Sequence, residues 1–349
     1  LPEGEARKAL YRWAVGAEDV PLEALTGLVA GLEELRRAES ESQVVALIHR
    51  YKAPREVIPT GYLTSPLVWS ALLPNLGITA LLRNLGNLSK CGLLAAGSGV
   101  VPEVTVRITD REGLRRGRVH PLQVLAALVT YQQGHGMRGQ GEWKAVPQVV
   151  EALNQAFALA FENINPTGQR LYLALDVSGS MSVGAVSGIP GLAPREASAA
   201  LAMITANTEP GAIIRAFQER MTPLPVSAGM SLEQVTRAVD NLPFGGTDCA
   251  QPMLDAIKHN LQVDAFIIYT DSETWAGQIH PVQALRQYRQ KTGIPARLVV
   301  VGMTSNGFSI ADPADAGMLD VVGFSTSTPS AINDFVAGRL GVSAGETED

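Results

Sequence analysis

Beyond residue 166, the chain alternates between apolar runs of strand length and segments with helical periodicity. The apolar runs occupy residues 171–177, 211–217, 264–270 and 296–303. The helical segments lie near residues 195–207, 231–240, 248–260 and 280–291. Apolar strands that alternate with helices are typical of a parallel sheet covered by helices on both faces. We therefore predict a doubly wound, Rossmann-like α/β domain over residues 166–349.

The first half of the chain has a different, purely helical pattern. Apolar residues recur at steps of three and four in stretches such as "LEALTGLVAGLEELRR" and "ITALLRNLGNL". Pro66 is placed near a predicted helix start and Gly86 near a predicted helix end. The turn sequence at residues 165–168, Asn-Pro-Thr-Gly, marks a domain boundary. Residues 1–165 are therefore predicted to form a separate domain of stacked helical hairpins.

A pattern of oxygen-bearing side chains follows the first apolar run. Asp176, Ser178 and Ser180 form the motif D-x-S-x-S, while Thr247 lies in "GGTD" and Asp271 ends "FIIYTD". Ligands of parallel sheets bind at the carboxyl ends of the strands, where these residues are expected to meet. Carboxylates and hydroxyls are hard ligands suited to Mg²⁺. The sequence thus predicts a divalent-metal site, with capping of the next segment by the two serines as the alternative.

Catalytic roles have little support in the sequence. Ser180 lacks the G-x-S-x-G setting of an activated serine, and no histidine is placed to act as its base. Cys91 and Cys249 fit no metal or redox spacing and are expected to be reduced structural thiols. No apolar stretch reaches the length needed to cross a bilayer, and no leader peptide precedes the helices. We expect a protein that is not an enzyme and does not bind membranes.

Charge is distributed unevenly along the chain. The net charge is −6, yet residues 49–144 carry 12 lysines and arginines against five aspartates and glutamates. A basic segment inside an acidic protein favours an anionic partner, and a solvated basic face is the alternative.

Several stretches carry a resemblance to known families. The D-x-S-x-S, threonine and aspartate pattern resembles the metal-ion-dependent adhesion site of von Willebrand factor A domains. The stretches "REVIPTGYLTSPLVW", "ITALLRNLGNL", "RVHPLQVLAAL" and "GHGMRG" resemble the TROVE module, and "FGGTDCAQPM" and "TDSETWAGQIHPVQALRQYR" are similar to the Ro ribonucleoprotein autoantigen. From about residue 40 to about residue 340, the chain is identified as a member of the Ro family, of the bacterial type.

The resemblance implies a fold, an activity and partners. The fold would be HEAT-like helical repeats, the C-terminal part of a TROVE module, followed by a von Willebrand factor A domain; further TROVE helices are expected upstream of Leu1. The activity would be binding of small noncoding Y RNAs and of the single-stranded ends of misfolded RNAs, in cytoplasmic RNA quality control. An exoribonuclease such as polynucleotide phosphorylase is an implied partner. The Mg²⁺ ion would keep one position open for a partner's carboxylate. A metal-dependent protein-interaction module without RNA binding is the alternative function.

Basic side chains in the helical half are the candidates for RNA contact, because lysine and arginine neutralise phosphates. The predicted contacts are His49, Lys52, Arg55, Arg83, Arg115, Arg116, Arg118, His120 and Arg138. Tyr51 could stack on a base or close a helix against the core. Arg83, expected near a helix end, could instead bind terminal carbonyls. The arginines before Pro121 could equally form a solvated surface.

Overall fold

The computed structural model describes residues 3–17, 20–21, 24–25, 27–136, 141–186, 189, 191–240, 242, 245–271, 276–304, 310–323 and 328–339. By packing, the chain divides into two units: residues 1–119 with 123–156, and residues 120–122 with 157–349. The division falls before the boundary expected at residue 165. Residues 160–163 belong to the second unit because the 3-10 helix Ala160–Asn163 packs against the helix Pro194–Thr208 of that unit.

The described residues of the N-terminal half form helices, as predicted. They are α1 Glu3–Ala14, α2 Gly27–Arg36, α3 Glu41–Tyr51, α4 Pro66–Leu72, α5 Ile78–Lys90, α6 Val100–Ile108, α7 Arg111–Arg116, α8 Pro121–Gln133 and α9 Pro147–Leu159. Within the described part of this half, extended pairing is limited to an isolated bridge between His135 and Glu142. The arrangement of the helices as HEAT-like repeats stays a prediction.

Local sequence explains where α4 begins. The Ser65 hydroxyl accepts hydrogen bonds from the backbone N–H groups of Leu67 and Val68, at 3.1 and 3.2 Å. Pro66 occupies the first helical position, where its missing N–H group costs nothing. The predicted helix start at Pro66 is confirmed.

The predicted helix end near Gly86 is wrong, because α5 continues through this glycine to Lys90. A Cβ atom at Gly86 would lie 2.7 Å from Cη2 of the Trp143 indole, so the glycine serves a close approach of that ring. Arg83 consequently lies in the middle of α5, where it cannot bind the last carbonyls of the helix.

The second unit is built on a six-stranded sheet with the order β3-β2-β1-β4-β5-β6. The strands are β1 Leu171–Asp176, β2 Ile213–Phe217, β3 Met221–Pro223, β4 Ala265–Thr270, β5 Arg297–Gly302 and β6 Met318–Val322. All neighbours are parallel except β2 and β3, which form an antiparallel pair. The predicted parallel core is confirmed. The sequence analysis missed the two edge strands, which are partly exposed and have no long apolar run.

Helices pack against both faces of this sheet. The helices are α10 Pro194–Thr208, α11 Leu232–Asp240, α12 Gln251–Lys258, α13 Pro281–Thr292 and α14 Thr328–Val336. On one face, Tyr172 and Phe266 pack with Met253 of α12 and Leu285 of α13. On the other, α10 packs against β1. All residues of β1 and β4 are buried. The residues that follow the carboxyl ends of these two strands therefore come directly after core positions.

The helices contain no candidate membrane span: across the described residues, none combines the length and the apolar character that crossing a bilayer requires.

Candidate metal centre and nucleic-acid interface

The D-x-S-x-S residues come together directly after β1. Asp176 is fully buried, and its Oδ1 accepts a hydrogen bond from the backbone N–H of Ser178 at 2.8 Å. Its Oδ2 accepts one from the Thr270 hydroxyl, the last residue of β4, at 2.7 Å. The hydroxyl oxygens of Ser178 and Ser180 lie 3.1 Å apart. A buried carboxylate therefore lies beside the buried hydroxyl of Ser178, which contacts the exposed hydroxyl of Ser180.

Burial makes the charge on Asp176 costly. It raises the pKa of this carboxyl from 3.8 to about 6, although the hydrogen bonds from Ser178 and Thr270 act in the opposite direction. The negative charge of Asp271 raises the pKa further. A cation beside Asp176 would favour the ionised form of this carboxyl.

Thr247 contributes a buried hydroxyl to the predicted site. It is fully buried, and its Oγ1 has no hydrogen-bond partner among the described residues. The backbone N–H of Asp248 donates to the Gln218 carbonyl at 3.1 Å, so the loop is tied to the end of β2. An unpartnered buried hydroxyl costs about 1–3 kcal/mol, and buried polar atoms are almost always satisfied by protein, water or an ion. This hydroxyl fits the predicted cation site.

Asp271 completes the predicted set. It follows β4 directly, is buried, and interacts electrostatically with Asp176. The structure thus brings four of the predicted residues to the ends of the adjacent strands β1 and β4, and holds the Thr247 loop against β2. Among the described residues, no three or more His, Cys, Asp or Glu side chains form a group that could hold a metal ion. The donors here are two carboxylates and hydroxyls, a hard oxygen set that suits Mg²⁺.

Arg195 is a residue near this centre that the sequence analysis missed. It lies in the first turn of α10 and is buried, and its Nη2 donates to the carbonyls of Val177 and Ser178 at 2.7 and 3.2 Å. Burial lowers its pKa, while Asp240 and Asp176 raise it. The guanidinium holds the backbone of the D-x-S-x-S loop. An arginine in an alanine-rich helix gives no local sign that it reaches this loop.

The predicted RNA-contact residues differ in their exposure. Exposed side chains are His49, Lys52, Arg83, Arg115, Arg116 and Arg118. Arg115 forms an exposed ion pair with Glu112 at 2.9 Å, which is easily exchanged for another anion. Arg55 is partly buried, and Arg138 lies outside the described residues. These assignments stay predictions.

His120 is placed unlike a phosphate contact. It is partly buried, and its Nδ1 accepts a hydrogen bond from the backbone N–H of Leu122 at 3.1 Å, at the start of α8. Burial lowers the pKa of the imidazole to about 4. The ring is therefore neutral near pH 7 and brings no positive charge to a phosphate.

Two other side chains from the basic segment have structural contacts. The Tyr51 hydroxyl donates to Glu34 Oε1 at 2.6 Å, and its ring lies so close to Gly31 that a Cβ there would be 2.6 Å from it. The ring closes α3 against α2, the structural alternative left open by the sequence. Arg107 donates to the carbonyls of Leu73, the first residue of a 3-10 helix, and of Leu76, the residue that follows this helix.

Comparison with known proteins gives a consistent result. Family models match residues 25–129 to the TROVE domain and residues 170–336 to the Ro60 vWA domain. RNA-binding protein RO60 from Deinococcus radiodurans is 46% identical over 314 residues, covering 90% of this chain and 59% of that protein. RNA-binding protein RO60 from Caenorhabditis elegans is 42% identical over 315 residues, which cover 90% of this chain and 48% of that protein.

One solved structure matches nearly the whole chain. The crystal structure of the Deinococcus radiodurans RO (RSR) protein aligns with a TM-score of 0.89 and 44% identity, covering 96% of this chain and 68% of that chain. The chain spans 59% and 48% of the length of the two curated relatives.

Proposed function

Because the chain belongs to the Ro60 family, with a TROVE region followed by a von Willebrand factor A domain, we propose that it binds RNA. The observation that carries this proposal is the similarity of 90% of the chain to two proteins named for RNA binding. Neither relative is named for a reaction, and the prediction that the chain belongs to no enzyme family agrees with this.

Charge and exposure support a contact surface in the helical half. Residues 49–144 hold 12 basic and five acidic side chains. Arg115, Arg116 and Arg118 are exposed around the C-terminal end of α7. Exposed cations bind RNA phosphates by releasing counterions, which makes the affinity fall with salt.

The finer proposals concern the RNA and its processing. The RNAs are small noncoding Y RNAs and the single-stranded ends of misfolded RNAs, and the process is quality control with an exoribonuclease such as polynucleotide phosphorylase. The support is the likeness of the TROVE and von Willebrand factor A stretches to the Ro family. We place the protein in the cytoplasm, and the absence of a disulfide between its two cysteines is consistent with a reducing compartment.

The RNA proposal is tested by charge reversal. The variant Arg115→Glu, Arg116→Glu, Arg118→Glu is compared with wild type for binding of a structured Y-type RNA and of a single-stranded oligonucleotide, over a salt series. We expect weaker binding of at least one RNA, and a log–log salt slope smaller by roughly 0.7–0.9 for each phosphate that the variant no longer neutralises.

A matched variant controls for net charge. Arg237→Glu, Lys258→Glu, Lys291→Glu reverses three exposed cations of the second unit and should bind like wild type, apart from a small general charge effect. Equal affinities and slopes for wild type and the α7 variant would exclude this cluster. Absence of RNA binding by the wild-type chain would contradict the function itself.

We also propose a divalent-cation site formed by Asp176, Ser178, Ser180, Thr247 and Asp271, with Mg²⁺ as the ion. The supporting observations are the buried, unpartnered Thr247 hydroxyl and the two adjacent carboxylates. A bound cation would supply an electron-poor position for an oxygen ligand such as a partner's carboxylate. This site favours the second candidate function, metal-dependent protein interaction, which can coexist with RNA binding.

The metal proposal is tested by the thermal and chemical stability of Asp176→Ala. Mg²⁺ at a hundredfold excess over its Kd should stabilise wild type by about 2.7 kcal/mol, and this increment should vanish in the variant. Glu233→Ala, which removes a carboxylate with 72% of its side chain exposed, is the control and should keep the full increment. A variant that retains the Mg²⁺ increment would refute the ligand set. RNA binding that persists in chelator would separate the two activities.

A further inference from the structure

Next to the Thr247 loop lies a second buried acceptor that has no partner in the described part of the chain. Gln218 directly follows β2, and its neighbour Phe217 is level with Asp176 in the parallel pairing of β1 and β2. The backbone N–H of Val177 donates to the Phe217 carbonyl at 3.0 Å, which continues this pairing past Asp176. The side chain of Gln218 thus begins one residue beyond the buried carboxylate, on the neighbouring strand.

The carboxamide of Gln218 lies against the loop that carries Thr247. A Cβ atom on Gly245 would lie 2.2 Å from the Gln218 Oε1, so the glycine lets this oxygen lie directly against the loop. The main chain of Gln218 binds the same loop through the hydrogen bond from Asp248. Two residues, Gly245 and Asp248, therefore hold the side chain and the main chain of Gln218 beside Thr247.

The Gln218 Oε1 is buried and has no hydrogen-bond donor among the described residues. An amide oxygen without a partner is costly to bury, and each such atom in a native protein calls for a water or an ion. Two oxygens in this condition, Gln218 Oε1 and Thr247 Oγ1, lie on segments that the hydrogen bond from Asp248 to Gln218 joins. A hydrated cation would satisfy both, because amide and hydroxyl oxygens bind such ions directly or accept hydrogen bonds from their waters.

We propose that Gln218 is a further oxygen donor of the divalent-cation site, acting on the ion directly or through one of its bound waters. This inference rests on the cation site proposed above. The amide strengthens binding without adding negative charge. It also couples the β2–β3 turn to the ion, so that this turn becomes part of the site together with the loops after β1 and β4.

The test compares Gln218→Met with wild type for binding of Mn²⁺ to the full chain, by calorimetry and by the electron paramagnetic resonance of free Mn²⁺. Methionine keeps the length of the side chain and removes the oxygen. We expect Mn²⁺ affinity to fall about 10- to 100-fold, as for other outer-sphere changes in metal sites. In chelator, the melting temperature should be unchanged or higher, because the variant no longer buries an unpaired acceptor.

Gln287→Met is the matched control, since Gln287 is exposed on α13, and it should bind Mn²⁺ like wild type. Wild-type affinity in Gln218→Met would overturn the role of Gln218 and leave the cation site standing. A wild-type chain that does not bind Mn²⁺ would overturn both. If Gln218→Met does not fold, Gln218→Glu decides: at pH 8 the added carboxylate should tighten Mn²⁺ binding, and an unchanged or weaker affinity would overturn the proposal.

Discussion

At the scale of single residues, the second unit buries several charged and polar side chains around Asp176. Asp176 is held by donors from its own loop and from β4, and Arg195 holds the backbone of the same loop from α10. These contacts keep the loop in place without a cation. Among the described residues, none satisfies the Thr247 hydroxyl, which the proposed cation would do.

The raised pKa of Asp176 predicts a pH dependence of stability in chelator. The pKa is about 6 in the folded protein against 3.8 ordinarily, so folding favours the protonated carboxyl. This contribution is fully present below pH 3.8 and is lost as the pH rises through about 6. The two values differ by enough to change the free energy of unfolding by about 3 kcal/mol.

Chemical denaturation of wild type and Asp176→Asn over this pH range measures the effect, because other titrating groups cancel in the difference. The stability of wild type relative to the variant should fall between about pH 4 and pH 6, the window set by the two pKa values. A difference that stays constant with pH would show that Asp176 ionises without penalty in the folded protein.

At the scale of elements, α5 shows how a distant side chain overrides a local signal. Trp143 packs against Gly86, and its indole N–H donates to the Tyr131 carbonyl at 2.9 Å. Lys90, at the end of α5, lies 6.0 Å from the centroid of the same ring. The glycine is therefore an interior helix residue that makes room for a tryptophan from beyond α8.

We predict that substitution of Gly86 by alanine destabilises the protein. Gly86→Ala should lower the free energy of unfolding by up to about 2 kcal/mol, because overpacking costs about 1–3 kcal/mol against the roughly 1 kcal/mol gained in helix propensity. Urea denaturation measures the change. Gly4→Ala in α1, where an added Cβ meets nothing within 4 Å, is the control and should be neutral or stabilising. Stabilisation by Gly86→Ala would mean that Trp143 moves freely.

At the scale of the whole molecule, the two proposed activities belong to separate units. The exposed basic candidates from His49 to Arg118 lie in the first unit, and the predicted metal ligands lie in the second. Each activity should therefore survive substitutions that remove the other. His120 is the exception among the RNA candidates, since it packs with the second unit and is neutral near pH 7.

The sequence by itself determined the class of each half and the residues of the candidate metal site. Helical and strand periodicities are local properties of the chain. The D-x-S-x-S motif is local as well, because it begins at the last residue of a strand. Family resemblance supplied the proposal that the chain binds RNA, which no spacing in the sequence could establish. The sequence showed that the arginines around α7 are positively charged, but it could not show whether they contact RNA.

Only the tertiary structure decided which side chains from distant segments meet. The continuation of α5 through Gly86 depends on Trp143, and the support of the D-x-S-x-S loop depends on Arg195 of α10. The unsatisfied oxygens of Thr247 and Gln218 become visible only when the β2 end and the Thr247 loop are packed together. The physical reason is that burial and hydrogen-bond satisfaction are properties of packed surroundings, whereas periodicity and motif spacing are properties of the chain.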